Sequence, residues 1–427
     1  MTMMAFLAAC AVAIFFNRRR PLAERVETFA KGMGHVDIML MCLIFILAGA
    51  FAAVAKGSGA VDSAVTIARA LVPDRFMVAG VFAVAALISL AIGTSCGTIA
   101  ATVPVALGCA EPLGICPALL AGAVVAGAMF GDNLSMISDT TIAATRTQGV
   151  AMRDKFWANA AYAIPAALVA LVLYLVAGWV AAAPSVGAAA TAAASVAPKD
   201  VVAVLPYVLI LVLALAGFNV VALLFLGTGL AMVLGLLLGA FDGAGAVALA
   251  GQGVMGMGET MVVALLAGGL FRTIEAAGGL AKLTGWIARA VRGPKTCEAG
   301  MFALTGLINL LTANNTVAIV IAGPLARACG ERFGADRVRL AGIIDTAGSV
   351  VQGMIPYGAQ ILIALGLARG AGMAFGAGAL IARLYYPPIL AVAVLVGIAC
   401  ARRRILKVGG CPQESSDRIE RSDAPIL

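Results

Sequence analysis

The stretch PLGICPALLAGAVVAGAMFGDNLSMISDTTIAATRTQG, Pro112–Gly149, runs through twenty uncharged residues (Pro112–Gly131) straight into two aspartates, Asp132 and Asp139, set among amides and hydroxyls. An apolar segment of that length covers the hydrocarbon core of a bilayer as a helix. A carboxylate at its end is costly there and points to function by default. The surroundings are of the same kind: Phe76–Ala110, Phe156–Pro198, Val201–Phe241, Ala299–Ala326 and Leu384–Ala401 are all uncharged. With 62% apolar and 12% charged residues and a mean hydropathy of +1.05, the chain departs far from the soluble norm of about 25% charged residues. Runs this long without alternation read as helices, since only helices and closed barrels satisfy their backbone groups in lipid.

The net charge of +8 does not mark a nucleic-acid binder, because the basic residues stand in short segments between apolar runs. There they set orientation. Asn17–Gly34, with Arg18, Arg19, Arg20, Arg25 and Lys31, is placed in the cytoplasm, as are Arg272–Glu298 and the tail that begins Arg402-Arg403-Arg404. Ala181–Asp200 carries one lysine and one aspartate and is placed outside. The apolar N-terminus has its charges after the apolar stretch, the reverse of a secretory signal, and reads as a retained first span. Nine cysteines scattered without paired spacing read as small buried hydrophobes.

Span candidates are Met4–Phe16, Val36–Ala55, Phe76–Ile92, Ala158–Ala183, two within Val201–Ala240 split near Gly217-Phe218-Asn219, one ending near Phe271, Ala299–Leu311 and Leu384–Ala401. Broken regions at Gly93–Gln148 and up to Leu367 bring the expected total to about 10–12 transmembrane helices. A shift of about 220 positions superposes the two halves. Ala79-Gly80 falls on Ala299-Gly300, Ser89-Leu90 on Asn309-Leu310, and Leu120-Ala121-Gly122 on Leu340-Ala341-Gly342. Because Val36–Ala55 leaves a cytoplasmic loop while its copy ending at Phe271 enters one, the copies are inverted, as in many secondary transporters. The expected architecture is an all-α integral membrane protein with broken or re-entrant helices. Residues 1–183 form the first repeat, 184–200 an extracytoplasmic loop, 201–404 the second repeat and 405–427 a cytoplasmic tail.

Four polar breaks interrupt the apolar runs. Gly93–Thr98 (GTSCGT) brings Thr94 and Ser95 between glycines, a composition suited to an unwound helix with exposed carbonyls. Its copy is Ala313-Asn314-Asn315-Thr316, whose tandem amides need a cavity or a partner in lipid. The third break holds Asp132, Asn133, Ser135, Ser138, Asp139, Thr140 and Thr141. The fourth runs from Asp345 to Gln360 through Gln352 and Pro356, and Asp345 is isolated from other charges until Arg369. His35 at a span head reads as interfacial, Glu259 as a charge at a mouth, and Lys56 and Glu275 as anchors of helix ends.

With these motifs the chain resembles the NhaC family of sodium/proton antiporters, over about residues 36–400. The resemblance lies in Gly93–Thr98, in Gly131-Asp132-Asn133-Leu134-Ser135 with Ser138-Asp139-Thr140-Thr141, and in Asp345 with Ile355-Pro356-Tyr357. Cys96 and Met136-Ile137 depart from the family pattern, where a tryptophan and a proline-leucine pair are usual. The resemblance implies exchange of Na⁺ for H⁺ across the cell inner (cytoplasmic) membrane by alternating access, with a cytoplasmic C-terminus. In this reading Asp132, Asp139 and Asp345 bind a cation when ionised and release it when protonated, Asp132 and Asp139 being the direct Na⁺ ligands. Asn133, Ser135, Ser138, Thr140, Thr94, Ser95, Asn314 and Asn315 complete the oxygen shell. The alternative is Na⁺- or H⁺-coupled transport of a small carboxylate or amino acid. No cofactor is expected beyond the transported ions; the lipid bilayer, a small organic solute and a second copy of the chain are the candidate partners, and nucleic acid is not one. An enzyme is disfavoured, since no nucleophile–base pair, metal cluster or nucleotide loop stands out.

Overall fold

The computed structural model describes residues 2–16, 20–181, 196–216, 218–373 and 375–400, and every regular element among them is a helix. The basic residues Arg18, Arg19 and Arg402–Arg404, most of the predicted outer loop and the predicted tail lie outside the described residues. In chain order the first half contains α1 (Thr2–Phe16), α2 (Leu22–Met33), α3 (Val36–Gly57), α4 (Ala60–Leu71), α5 (Met77–Ile92), α6 (Ser95–Gly108), α7 (Ala110–Leu113), α8 (Pro117–Leu134), α9 (Asp139–Gln148) and α10 (Met152–Ala181). The second half contains α11 (Pro198–Ala203), α12 (Leu205–Leu215), α13 (Val220–Leu237), α14 (Gly243–Gly256), α15 (Gly258–Ala276) and α16 (Gly279–Ala290). It continues with α17 (Pro294–Thr312), α18 (Asn315–Phe333), α19 (Arg337–Met354), α20 (Ala359–Gly370), α21 (Ala377–Ile381) and α22 (Tyr386–Cys400). Among the described residues seven helical segments are long and apolar enough to cross a membrane, and α1, α6 and α22 are shorter apolar helices.

The expected split between α12 and α13 is fixed by Asn219, whose side chain accepts the Val221 N–H at 2.8 Å and caps α13. One predicted boundary moves. Instead of starting at Ala158, α10 starts at Met152, so Lys155 belongs to the helix and is buried. The segment Met152-Arg153-Asp154-Lys155 looks solvated by composition, but its fourth residue points inward.

The duplication read from the sequence recurs in the backbone. Gly93 ends α5 in the left-handed conformation (φ 74°), and Ala313 ends α17 in the same way (φ 51°). Thr94 (φ −147°, ψ 122°) and Asn314 (φ −137°, ψ 112°) then extend the chain before α6 and α18 begin. Pro104 and Pro324 stand inside those helices, and Gly114 (φ 63°) and Gly334 (φ 69°) follow them. Side-chain bonds repeat as well: Ser89 Oγ donates to the Ala128 carbonyl at 2.6 Å, and Asn309 Nδ2 donates to the Gly348 carbonyl at 2.7 Å.

In each half the helix pair before and after the left-handed residue packs on a third helix, α5 and α6 on α8, α17 and α18 on α19. The halves then exchange arms, α6 lying against α20 and α9 against α18. That reciprocal exchange packs the helices that flank the breaks of one half against those of the other, and the main core is filled by large buried side chains such as Phe45, Phe51, Tyr174 and Tyr386.

Ala313 is the only non-glycine residue with positive φ among the described residues. A side chain there costs about 1–2 kcal/mol, part of which glycine returns through its freer unfolded chain. Ala313→Gly is therefore expected to raise the thermal unfolding midpoint slightly, by the equivalent of about 1 kcal/mol. A fall in the midpoint would show that the Ala313 methyl contributes more by packing than its backbone costs.

Candidate functional site

The left-handed turn at Gly93 brings Ser95 into the first turn of α6, where its N–H has no partner within the helix. That N–H donates to Asp132 Oδ2 at 3.1 Å, and Ser95 Oγ donates to the same oxygen at 2.7 Å. Asp132 stands in the last turn of α8, which stops at Leu134 as Ser135 turns extended (φ −66°, ψ 137°). The chain swings back at Ser138, which precedes α9 and donates its hydroxyl to Asp132 Oδ1 at 2.6 Å. Thus a half-buried carboxylate is held by three donors from two breaks, facing the N-terminal ends of α6 and α9. Both helix ends carry partial positive charge and favour the anion.

The donors suit cation exchange. A serine hydroxyl donates to the carboxylate when no ion is present and offers lone pairs to a cation after rotating. Gln360 extends the cluster from α20: its Nε2 donates to Ser95 Oγ at 2.9 Å, while its buried Oε1 has no partner. Thr140 Oγ1 lies 3.0 Å from Ser138 Oγ.

A second cluster adjoins the first through Asn133. Lys155, on α10, pairs with Asp345 Oδ2, and its Nζ also donates to Thr141 Oγ1 at 2.7 Å and to the Asn133 carbonyl at 3.1 Å. Both charged side chains are buried, Lys155 1% and Asp345 0% exposed, so the pair sits away from water with its hydrogen bonds largely internal. One turn along α10, Asn159 Nδ2 donates to Asp345 Oδ2 at 3.3 Å and to Asn133 Oδ1 at 3.1 Å. Asn133 Nδ2 donates in turn to the Tyr386 hydroxyl at 3.4 Å. Removing one partner of such a pair costs about 3–5 kcal/mol, because the other charge remains buried.

The predicted residues therefore fall into different places. Asp132, Ser95, Ser138 and Thr140 share one cluster, and Asn133 and Asp345 share the next. Ser135 is buried between them, its carbonyl accepting from Thr141 Oγ1 at 2.7 Å. Thr94 serves through its backbone, its carbonyl accepting from Thr98 Oγ1 at 3.0 Å. Asp139 is exposed at the first position of α9, on the far side of the break from Asp132.

Asn314 caps α18, its Oδ1 accepting the Val317 N–H at 3.0 Å. Asn315 Nδ2 reaches Ser349 Oγ at 3.5 Å and leaves its Oδ1 unpartnered. In this second crossing Gln352 occupies the position of Asp132, donating from Nε2 to the Ala313 carbonyl at 2.9 Å. The repeat keeps the crossing but holds a neutral amide where the first half holds a carboxylate. Sequence reading did not place Lys155, Asn159 or Tyr386 at the site, and Gln360 stood only as the end of the fourth break. The four-residue spacing of Lys155 and Asn159, which puts both on one helix face, is the signal that could have found the first two.

A half-open cavity lies beside Pro356 at the fourth break, between the start of α15 and the end of α20. Glu259 and Arg369 pair across it, and Arg369 Nη2 also donates to Thr260 Oγ1 at 3.2 Å. The mouth charge expected at Glu259 is thus half of an ion pair.

The model of the Na⁺/H⁺ antiporter family matches residues 1–179 and 183–398. The chain belongs to that family. Among curated relatives, it is 29% identical over 137 residues to the malate-2H(+)/Na(+)-lactate antiporter of Bacillus subtilis (strain 168), covering 32% of this chain and 29% of that protein. It is 32% identical over 137 residues to the Na(+)/H(+) antiporter NhaC of Alkalihalophilus pseudofirmus, covering 32% of this chain and 30% of that protein. Against NhaC of Bacillus subtilis (strain 168) it is 26% identical over 359 residues, 76% of each chain. The match thus spans less than a third of the first two relatives and about three quarters of the third. As a member of this family, the chain is a multi-pass membrane protein of an antiporter class, with its two helix crossings inside the matched residues.

Proposed function

We propose that the protein exchanges Na⁺ for H⁺ by alternating access, with Asp132 as the carboxylate for which the two ions compete. The observation that carries this reading is the single carboxylate at the arm crossing, held by Ser95 and Ser138 from two helix breaks. An ionised Asp132 binds Na⁺ with help from hydroxyl and carbonyl oxygens of the kind hard cations prefer. A proton on the same carboxylate removes the charge that holds the cation, so one ion leaves as the other arrives. The neutral Gln352 at the equivalent crossing gives the reading one charged exchange position rather than two. Asp139, exposed at the start of α9, is left outside the exchange site.

The cell inner membrane, with the C-terminus in the cytoplasm, is the setting that the basic loops support. No cofactor enters this scheme. Purified protein in liposomes containing a trapped pH dye tests it directly. An inward Na⁺ gradient, with no organic solute present, is expected to make the interior alkaline. Absence of that signal, with proton movement restored by adding malate, lactate or an amino acid, would replace Na⁺/H⁺ exchange with coupled transport of an organic solute.

A further inference from the structure

Lys155 is the only fully buried cation among the described residues, and exchange at Asp132 gives it no task. Its ammonium is held by oxygens from three elements: the Asp345 carboxylate on α19, the Thr141 hydroxyl on α9 and the Asn133 carbonyl on α8. A carboxylate, a hydroxyl and a main-chain carbonyl form a hard-oxygen set of the kind that binds metal cations. The other Asp345 oxygen, Oδ1, is buried without a partner, so the set has an unused ligand. The groups facing the ammonium from the packed helices are Asn133, Thr141, Asn159, Asp345 and, through Asn133, Tyr386; Asp345 is the sole carboxylate in direct contact. The repeat offers no counterpart, because Val125 stands one repeat length before Asp345.

We propose that Lys155 is a tethered cation filling a second alkali-cation position built from Asp345, Thr141 and the Asn133 carbonyl, and that removing its ammonium opens this position to free Na⁺. The inference rests on the exchange reading only in taking Na⁺ as the cation; the position is separate from Asp132. In the intact protein Lys155 supplies the positive charge that Asp345 needs, ties α10 to α19 and to the α8–α9 break, and limits the free cations bound to one. The side chain reaches this position from the α10 backbone and cannot diffuse away, so its charge stays with the protein throughout transport.

Thermal unfolding of the full chain in detergent, in NaCl against choline chloride at equal ionic strength, provides the test. Asp132→Asn alone is expected to show no Na⁺-specific shift. Adding Lys155→Ala is expected to create one of roughly 3 °C or more, saturating with NaCl and absent in choline. Adding Asp345→Asn as a third change should abolish it again. A folded Asp132→Asn/Lys155→Ala protein that ignores Na⁺, or a triple variant that still responds, overturns the proposal.

If the Asp132→Asn/Lys155→Ala protein is recovered folded only when NaCl is present throughout purification, that dependence supports the proposal. If it folds in neither salt while the uncharged combination Lys155→Met/Asp345→Asn does, Na⁺ cannot replace the ammonium and the proposal fails. Failure of Na⁺/H⁺ exchange is read separately, from wild-type liposomes.

Discussion

Asp132→Asn is expected to reduce Na⁺-driven proton movement in proteoliposomes to that of empty vesicles, while the protein still inserts and purifies as a folded species. The substitution keeps the shape of the side chain, so the α5–α6 turn and the α8–α9 break retain a group to pack around. It removes the negative charge, and with it the competition between Na⁺ and H⁺ on which the proposed exchange rests. An amide also presents two donors where the carboxylate presents lone pairs on both sides. One side of the new amide must then set its N–H₂ against either the Ser95 N–H and hydroxyl, which now donate to Oδ2, or the Ser138 hydroxyl, which donates to Oδ1. The Ser95 N–H cannot rotate to accept, so the amide oxygen is expected to face Ser95 and the nitrogen Ser138. Asp139→Asn is the control: its exposed position at the start of α9 predicts that exchange survives. Undiminished exchange in Asp132→Asn would remove this carboxylate from the mechanism, and loss in Asp139→Asn would place the second aspartate back on the ion path.

The two aspartates differ in how far their placement was legible in the sequence. Asp132 and the Gly93–Thr98 break were legible because a carboxylate, small hydroxyls and paired glycines in apolar sequence violate local expectation together. The duplication was legible because Ser89 and Asn309, and the two turns that follow them, recur at one offset. Asp139 lies apart from the Asp132 cluster for a geometric reason. Seven residues after Asp132, it would share a face with it on an uninterrupted helix, since seven residues are close to two turns. The extended residues at Ser135 and Ser138 break that register and leave Asp139 exposed.

Lys155 was hidden for the opposite reason. Beside Arg153 and Asp154 it looks like part of a solvated loop, and only the packing of α10 against α8, α9 and α19 buries it. Asp345 was found by its isolation in sequence, but its partner could not be inferred from the same signal, because 190 positions separate Lys155 from Asp345. The packing of α10 against α19, rather than any local pattern, makes them neighbours.

A substitution that leaves every charged group in place is expected to damage the same site through packing. Gly127 and Gly131 stand four residues apart on α8 and let its backbone approach α5, the small-residue contact that membrane helices use in place of a hydrophobic driving force. A Cβ at Gly131 would fall 2.5 Å from the Leu90 nitrogen and 2.7 Å from Ser89 Cβ, and would also collide with the Ala86 carbonyl. Two of these three neighbours are backbone atoms, which no rotamer change can move. Gly131→Ala must therefore push α5 away from α8, at a cost on the order of 3 kcal/mol, the upper part of the usual range for overpacking.

The displacement acts at the chemical site because α5 leads through Gly93 to Ser95, while Gly131 is bonded to Asp132. The two ends of the Ser95–Asp132 bonds separate when the helices do. Gly131→Ala is expected to lower the unfolding midpoint and to weaken apparent Na⁺ affinity in the liposome assay together. Gly229→Ala, on α13 with open space where a Cβ would go, should do neither and serves as the reference for an alanine in a helix. If Gly131→Ala lowers the midpoint yet leaves Na⁺ affinity unchanged, the Ser95 contacts are not what holds Asp132 ready for the ion, and Ser138 alone suffices.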